Sequence, residues 1–137
     1  MFASLSNPRM AYNQVGVEAR VASADPHQLI LMLFDGAMMS VSTASHQIDM
    51  GDTAGKGQSI SRAIDIVGNG LKVSLDLEAG GELAQRLYAL YDYMCVRLLH
   101  ANSQNDKAAL DEVAHLLGEL KGAWEDIRQK LVQGAPV

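Results

Sequence analysis

"LDEVAHLLGELKGAWEDIRQKL", residues 110–131, decides the fold class. Leu110, Val113, Leu117, Leu120, Trp124, Ile127 and Leu131 recur at steps of three and four without a miss, and charged residues fill the far side. That is one apolar stripe on a 3.6-residue helix. Such a stripe is stable only when buried against another element. No stretch of the chain alternates as a strand would, and no internal repeat is present. The partners are therefore helices.

Working towards the N-terminus, "NSQND" (102–106) supplies a break and a cap, Asn105 or Asp106. A third helix is predicted from Glu82 to about Ala101, and "AGG" (79–81) separates it by a tight turn from a second helix over about 58–78. Ile60, Ile64, Val67, Leu71 and Leu75 give that second helix its stripe, and "MGDTAGKG" (50–57) reads as a loop before it. The first helix opens at "DPHQ" (25–28): Asp25 can cap, Pro26 suits the first position and Gln28 completes a capping box. Its apolar set is Ile30, Leu33, Phe34, Ala37, Met38, Val41 and Ile48. Four helices of roughly 20 to 27 residues with loops of about 2 to 8 favour antiparallel neighbours. The expected fold is all-α, an antiparallel up-down four-helix bundle over residues 23–133. Residues 1–22, with Pro8, Gly16 and scattered apolar side chains, form a separate N-terminal segment, either a capping piece or a frayed end.

The chain has 137 residues, enough for one domain with its own core. A net charge of −5 argues against nucleic acid, whose phosphates are bound by Lys and Arg. The N-terminus lacks a charged region followed by an apolar run, and no stretch of about 18 apolar residues is present. Neither a signal peptide nor membrane insertion is expected. Cys95, the single cysteine, excludes an internal disulfide and fits a reducing compartment, hence a cytoplasmic protein.

Two helices carry more apolar circumference than a seam needs. In helix three, Leu83, Leu87, Leu90, Met94 and Leu98 make a seam, and Ala84, Tyr88, Cys95 and Leu99 form a second stripe beside it, with Tyr91 between. Together they cover about 180° of the wheel, against the roughly 100° that a core-facing helix requires. Helix two adds Ile66, Val73 and Leu77, with Ala63 and Gly70 between them, and Gly68 and Gly70 weaken it unless another chain segment comes close. A bundle helix touches two neighbours, so a wide stripe is also compatible with pure core. Tyrosine tips the balance, since it offers area to a partner while its hydroxyl stays wet. The expected docking groove thus lies between helices two and three and uses Ile66, Gly70, Val73, Leu77, Tyr88, Tyr91, Cys95 and Leu99.

Catalytic chemistry is not expected. "EVAH" (112–115) is a Glu-x-x-His, but a di-iron bundle needs two such units, and the residues three before His27, His46 and His100 are Ala24, Thr43 and Arg97. Cys95 sits among Tyr91, Leu98 and Leu99, surroundings that raise a thiol's pKa. "GDTAGKG" (51–57) lacks P-loop spacing and a preceding strand. No metal and no cofactor are expected.

"PHQLI" (26–30), "GGE" (80–82) and "LYDYM" (90–94), in this order and with "AY" at 11–12, "LLHANSQND" at 98–106 and "EVAHLLGELKGAWEDI" at 112–127, resemble the FliS family over residues 11–127. The resemblance implies a four-helix bundle whose N-terminal segment packs across it as a cap. It further implies a non-enzymatic cytosolic chaperone of flagellum biogenesis that binds the disordered C-terminal region of flagellin, prevents premature polymerisation and aids delivery to the flagellar export gate. Tyr12 matches the family's N-terminal tyrosine, implicated in substrate control. The alternative use of the spare surface is self-association, a homodimer of the free chain.

Overall fold

The first helix starts where Asp25 can hold its free amides: the Asp25 carboxylate accepts from the Gln28 amide at 2.8 Å, and Pro26 occupies the first turn. The computed structural model describes residues 25–132, side chains through Ile127. The expected N-terminal segment, Tyr12 included, lies outside the described residues. Helix α1 spans Pro26–Asp49, α2 spans Thr53–Ile66 and continues into a π-helical turn Val67–Lys72, α3 spans Leu77–Gln104 and α4 spans Lys107–Val132.

Several boundaries differ from the sequence expectation, each for a local reason. The loop expected over 50–57 shrinks to Met50–Asp52, because Asp52 accepts from the Gly55 amide at 3.0 Å and starts α2 early. The added turn is anchored by Lys56, only 7% exposed, whose ammonium donates to the Asn102 carbonyl at 2.9 Å and to Asn105 Oδ1 at 2.7 Å. Helix two ends at Lys72 rather than about residue 78. Val67, Leu71 and Leu75 follow two four-residue steps, and each advances about 40° around an α-helix. The wider i→i+5 turn absorbs that drift and keeps Leu71 in the core. The "AGG" stretch is a kink inside α3 rather than its beginning: Asp76 caps a turn that starts at Leu77, and Gly81 at φ +56 redirects it. The break between α3 and α4 is only Asn105, in the left-handed conformation, and Asp106, which accepts from the Ala109 amide at 3.2 Å.

Helix α1 packs on α2 and α4, and α3 packs on the same two, so the helices form a closed ring. Lys107 binds the Asp49 carboxylate at 2.8 Å at one end, and His27 meets Trp124 at the other. These pairings set α1 and α4 antiparallel, and the links of Lys56 to Asn102 and of Lys72 to Asp92 do the same for α2 and α3. The core draws on every helix: Phe34, Ala37, Val41 and Ala44; Ile60, Ala63, Val67 and Leu71; Tyr91, Met94, Leu98 and Ala101; Ala109, Leu110, Val113 and Leu117. In α3 the seam is rotated from the expected one. Ala84, Tyr91, Met94, Leu98 and Ala101 are buried, whereas Leu83 is 68% exposed. Leu83 lies just past the kink at Gly81 and lines the open end of the ring. By length and composition α1 is apolar enough to cross a bilayer, yet its Phe34, Ala37, Val41 and Ala44 belong to this core.

Leu117 is fully buried at the centre of the α4 stripe. Leu117→Ala should lower unfolding stability by about 2–5 kcal/mol in chemical denaturation, the cost of a core cavity.

Candidate functional site

Helix α2 shows one side to α1 and the other to α3, and this divides the residues expected to form a single groove. Ile66 faces α1: a Cβ on Gly36 would stand 3.3 Å from its Cδ1. Gly70 also faces α1, where a Cβ would meet the Leu33 side chain at 3.2 Å, so any larger residue would make Leu33 give way. Ile64 and Gly68 face α3, where the Cys95 thiol lies 3.9 Å from the Ile64 carbonyl. Ile66 and Gly70 are thus joined to α1 and not to the α3 residues. The wide apolar arc of helix two reflects its two neighbours.

The remaining expected residues separate by exposure. Val73 (63%), Leu77, Tyr88 and Leu99 (58%) stand in solvent, and Cys95 is half-buried beneath α2. Tyr91, placed by the wheel beside the seam, is 4% exposed and belongs to the core. Tyr88 carries the Lys72 ammonium over its ring at 4.9 Å, and Lys72 is held there by Asp92 at 2.7 Å. The hydrogen bond to Asp92 raises the Lys72 pKa.

A second apolar surface escaped the wheel. Where α1 begins and α4 finishes, the ring stays open around a cavity of about 430 Å³. Ile30 and Phe34 of α1, Leu71 of the π-helical turn, Leu75, Leu83, Leu87 and Tyr91 of the next elements, and Leu120, Trp124 and Ile127 of α4 line it. The volume falls within the range of ligand pockets, about 300–1,000 Å³. Exposed Leu83 marks its rim, and the kink at Gly81 carries the first turn of α3 past its mouth. One wall is unusual. The Trp124 indole stacks on the His27 imidazole with centroids 4.5 Å apart and planes within 8°. Sequence reading took Trp124 only as a seam residue and gave His27 no role. The available signals were a lone tryptophan late in a stripe and a histidine directly after a helix-starting proline.

The polar groups of the surface are engaged with each other. Glu112 accepts from the Tyr93 hydroxyl at 2.7 Å and from Arg97 Nε at 2.8 Å, and these bonds, Tyr93's first, hold its carboxyl below the ordinary range. His115 instead lies 3.0 Å from Glu119. The Glu-x-x-His pair therefore points to two different partners. Among the described residues no group of three or more His, Cys, Asp or Glu side chains converges. Burial pushes the Cys95 thiol up, with Lys72 opposing, which suppresses its thiolate.

An apolar cavity left open at one end of a closed helical ring has the character of a docking surface. The comparison with known proteins agrees with that reading. A family model described as "Flagellar protein FliS" matches residues 8–131. The flagellar secretion chaperone FliS of Salmonella typhimurium is 52% identical over 120 residues, covering 88% of this chain and 89% of the relative. Its namesake in Escherichia coli is 48% identical over 85% of both chains, and that of Bacillus subtilis is 31% identical over 92% of this chain and 90% of its own. The chain belongs to the FliS family.

Burial raises the Tyr91 phenol to about 12 from its ordinary 10.0. The folded chain keeps this proton where the unfolded chain has lost it, so the associated stability is complete below pH 10 and is lost as pH rises to about 12. Denaturant titrations across that window should show a steeper alkaline loss for the wild type than for Tyr91→Phe.

Proposed function

We propose that this chain is a cytosolic secretion chaperone of the flagellar system that holds the disordered C-terminal region of flagellin before export. The observation that carries this reading is the open apolar cavity of about 430 Å³, with exposed Leu77, Leu83, Tyr88 and Leu99 around the start and outer face of α3. Relatives that share up to about half of its residues are flagellar secretion chaperones by name. An amphipathic client segment would seat an apolar anchor in the cavity and lay further side chains along α3. Because the client orders only on binding, about 2–5 kcal/mol or more of the contact energy is spent on folding it. Capture is then specific without becoming irreversible, as delivery to an export gate requires. Held this way, flagellin is kept from polymerising early.

The N-terminal segment enters the bundle at Asp25, next to the cavity's α1 wall. In this reading it covers the cavity in the free protein, with Tyr12 as a contact, and the client displaces it. A covered site lowers apparent affinity by its open fraction. Removal of residues 1–20 should therefore tighten flagellin binding in calorimetric titrations; unchanged or weaker binding would make Tyr12 a direct client contact instead. The same exposed side chains suit a second copy of the chain when no client is present, and a homodimer of that kind would dissolve on adding a flagellin C-terminal peptide in a sizing experiment.

Leu77→Glu and Tyr88→Glu should each abolish co-purification of flagellin and leave the melting temperature near that of the wild type, since surface substitutions shift stability by about 0.5 kcal/mol or less. Flagellin lacking its last few dozen residues should fail to co-purify with the wild type. Retention of that truncated flagellin would defeat the proposed specificity.

A further inference from the structure

Trp124 is the chain's only tryptophan, and it forms the α4 wall of the cavity. Its indole is fixed from across the helix boundary. The indole Nε1–H donates to the His27 carbonyl at 3.0 Å, and His27 Nε2 lies 2.8 Å from the Trp124 carbonyl. A carbonyl oxygen only accepts, so Nε2 carries the proton. Each residue thus both gives and receives a hydrogen bond, while the two rings lie stacked at 4.5 Å.

The arrangement has a visible cost. His27 Nδ1 is buried and has no hydrogen-bond partner. A buried polar atom without a partner is unfavourable and calls for an explanation. Phenylalanine at position 27 would stack equally well and leave no nitrogen dry. What histidine adds is the bond from Nε2 to the Trp124 backbone, which closes the clamp around the indole.

We infer that His27 is the positioning residue of the cavity: it locks the Trp124 indole as a fixed wall, and thereby sets the shape that an aliphatic anchor of a client helix must fill. Released from the clamp, the indole has other staggered rotamers open to it. A wall that can swing inward fills its own pocket and competes with the client. The role of the cavity as client site rests on the proposed chaperone function; the clamp itself rests on the geometry of His27 and Trp124.

The test uses the full-length chain, with tryptophan emission and acrylamide quenching reporting Trp124 alone. His27→Ala should change the emission maximum and quenching, retain helical content, and bind a flagellin C-terminal segment about tenfold more weakly. In His27→Gln the side-chain amide supplies a donor near the Nε2 position, so both signals should move back towards the wild type. A purely structural role would instead lower thermal stability and affinity in parallel without a separate tryptophan signal, and that result would overturn the inference. So would unchanged emission in His27→Ala, or changed emission with unchanged affinity. If the wild type binds no flagellin segment, the chaperone reading fails. The clamp is then judged by uptake of the apolar dye ANS: an uptake altered in His27→Ala sustains it, and an identical uptake overturns it.

Discussion

The two ends of this bundle are packed differently: one is closed and sealed, the other stays open around the cavity. At the end where α1 turns into α2, alanines 44, 101 and 109 are fully buried and let the helices approach closely. At the other end Phe34, Tyr91 and Trp124 stand around the cavity. The closed end is also sealed by a buried ammonium. Lys56 would be expensive there without partners, and the Asn102 carbonyl and Asn105 side chain supply them. Asn105 is able to do so because it closes α3 in the left-handed conformation. With a polar seal at one end, apolar surface remains open at the other, around the cavity.

Maintaining that opening requires the surrounding walls to be rigid. The π-helical turn keeps Leu71 inward, and the Ser74 hydroxyl donates to the Leu71 carbonyl at 2.7 Å where the turn ends. Gly70 lets Leu33 of α1 approach closely enough to brace this turn. On the outside, Lys72 reaches from the same turn to Asp92 and Tyr88. One widened turn thus serves both surfaces: its inner side lines the cavity, and its outer side dresses the α3 face. Exposed ion pairs of this kind contribute little stability, so Lys72 acts chiefly on the orientation of Tyr88.

The fold was largely legible in the sequence because helices one and four combine uninterrupted periodicity with strong punctuation. Asp25–Pro26 marks one start and the Asn105–Asp106 pair marks another. The errors lie where a tertiary contact outweighs a local signal. Glycine-rich "TAGKG" (53–57) is helical because Asp52 caps it and Lys56 finds its partners at the end of α3; the cap is a local signal, the Lys56 contacts are not. The site was legible only in part, for a related reason. A helical wheel measures how wide an apolar arc is but not which neighbour faces it. Ile66 and Gly70 were counted as spare surface and are in fact the α1 contact of α2. Tyr91 was read as lying beside the seam and is in the core, because the buried side of α3 is centred on Tyr91, Met94 and Leu98 rather than on Leu83 and Leu90. The cavity had no signature within any single helix, since its walls come from all of them.

On the proposed chaperone reading, the position of α3 constrains the path of a client. Tyr91 faces the cavity from inside this helix, while Tyr88 and Leu99 lie on its outer face. Tyr88 and Tyr91 are three residues apart and so neighbours on the helix surface, and the two surfaces adjoin along the flank of α3. A client that covers both would cross that flank beside the Lys72–Asp92 pair. A chain disordered beforehand can follow such a contour at the cost of its ordering entropy.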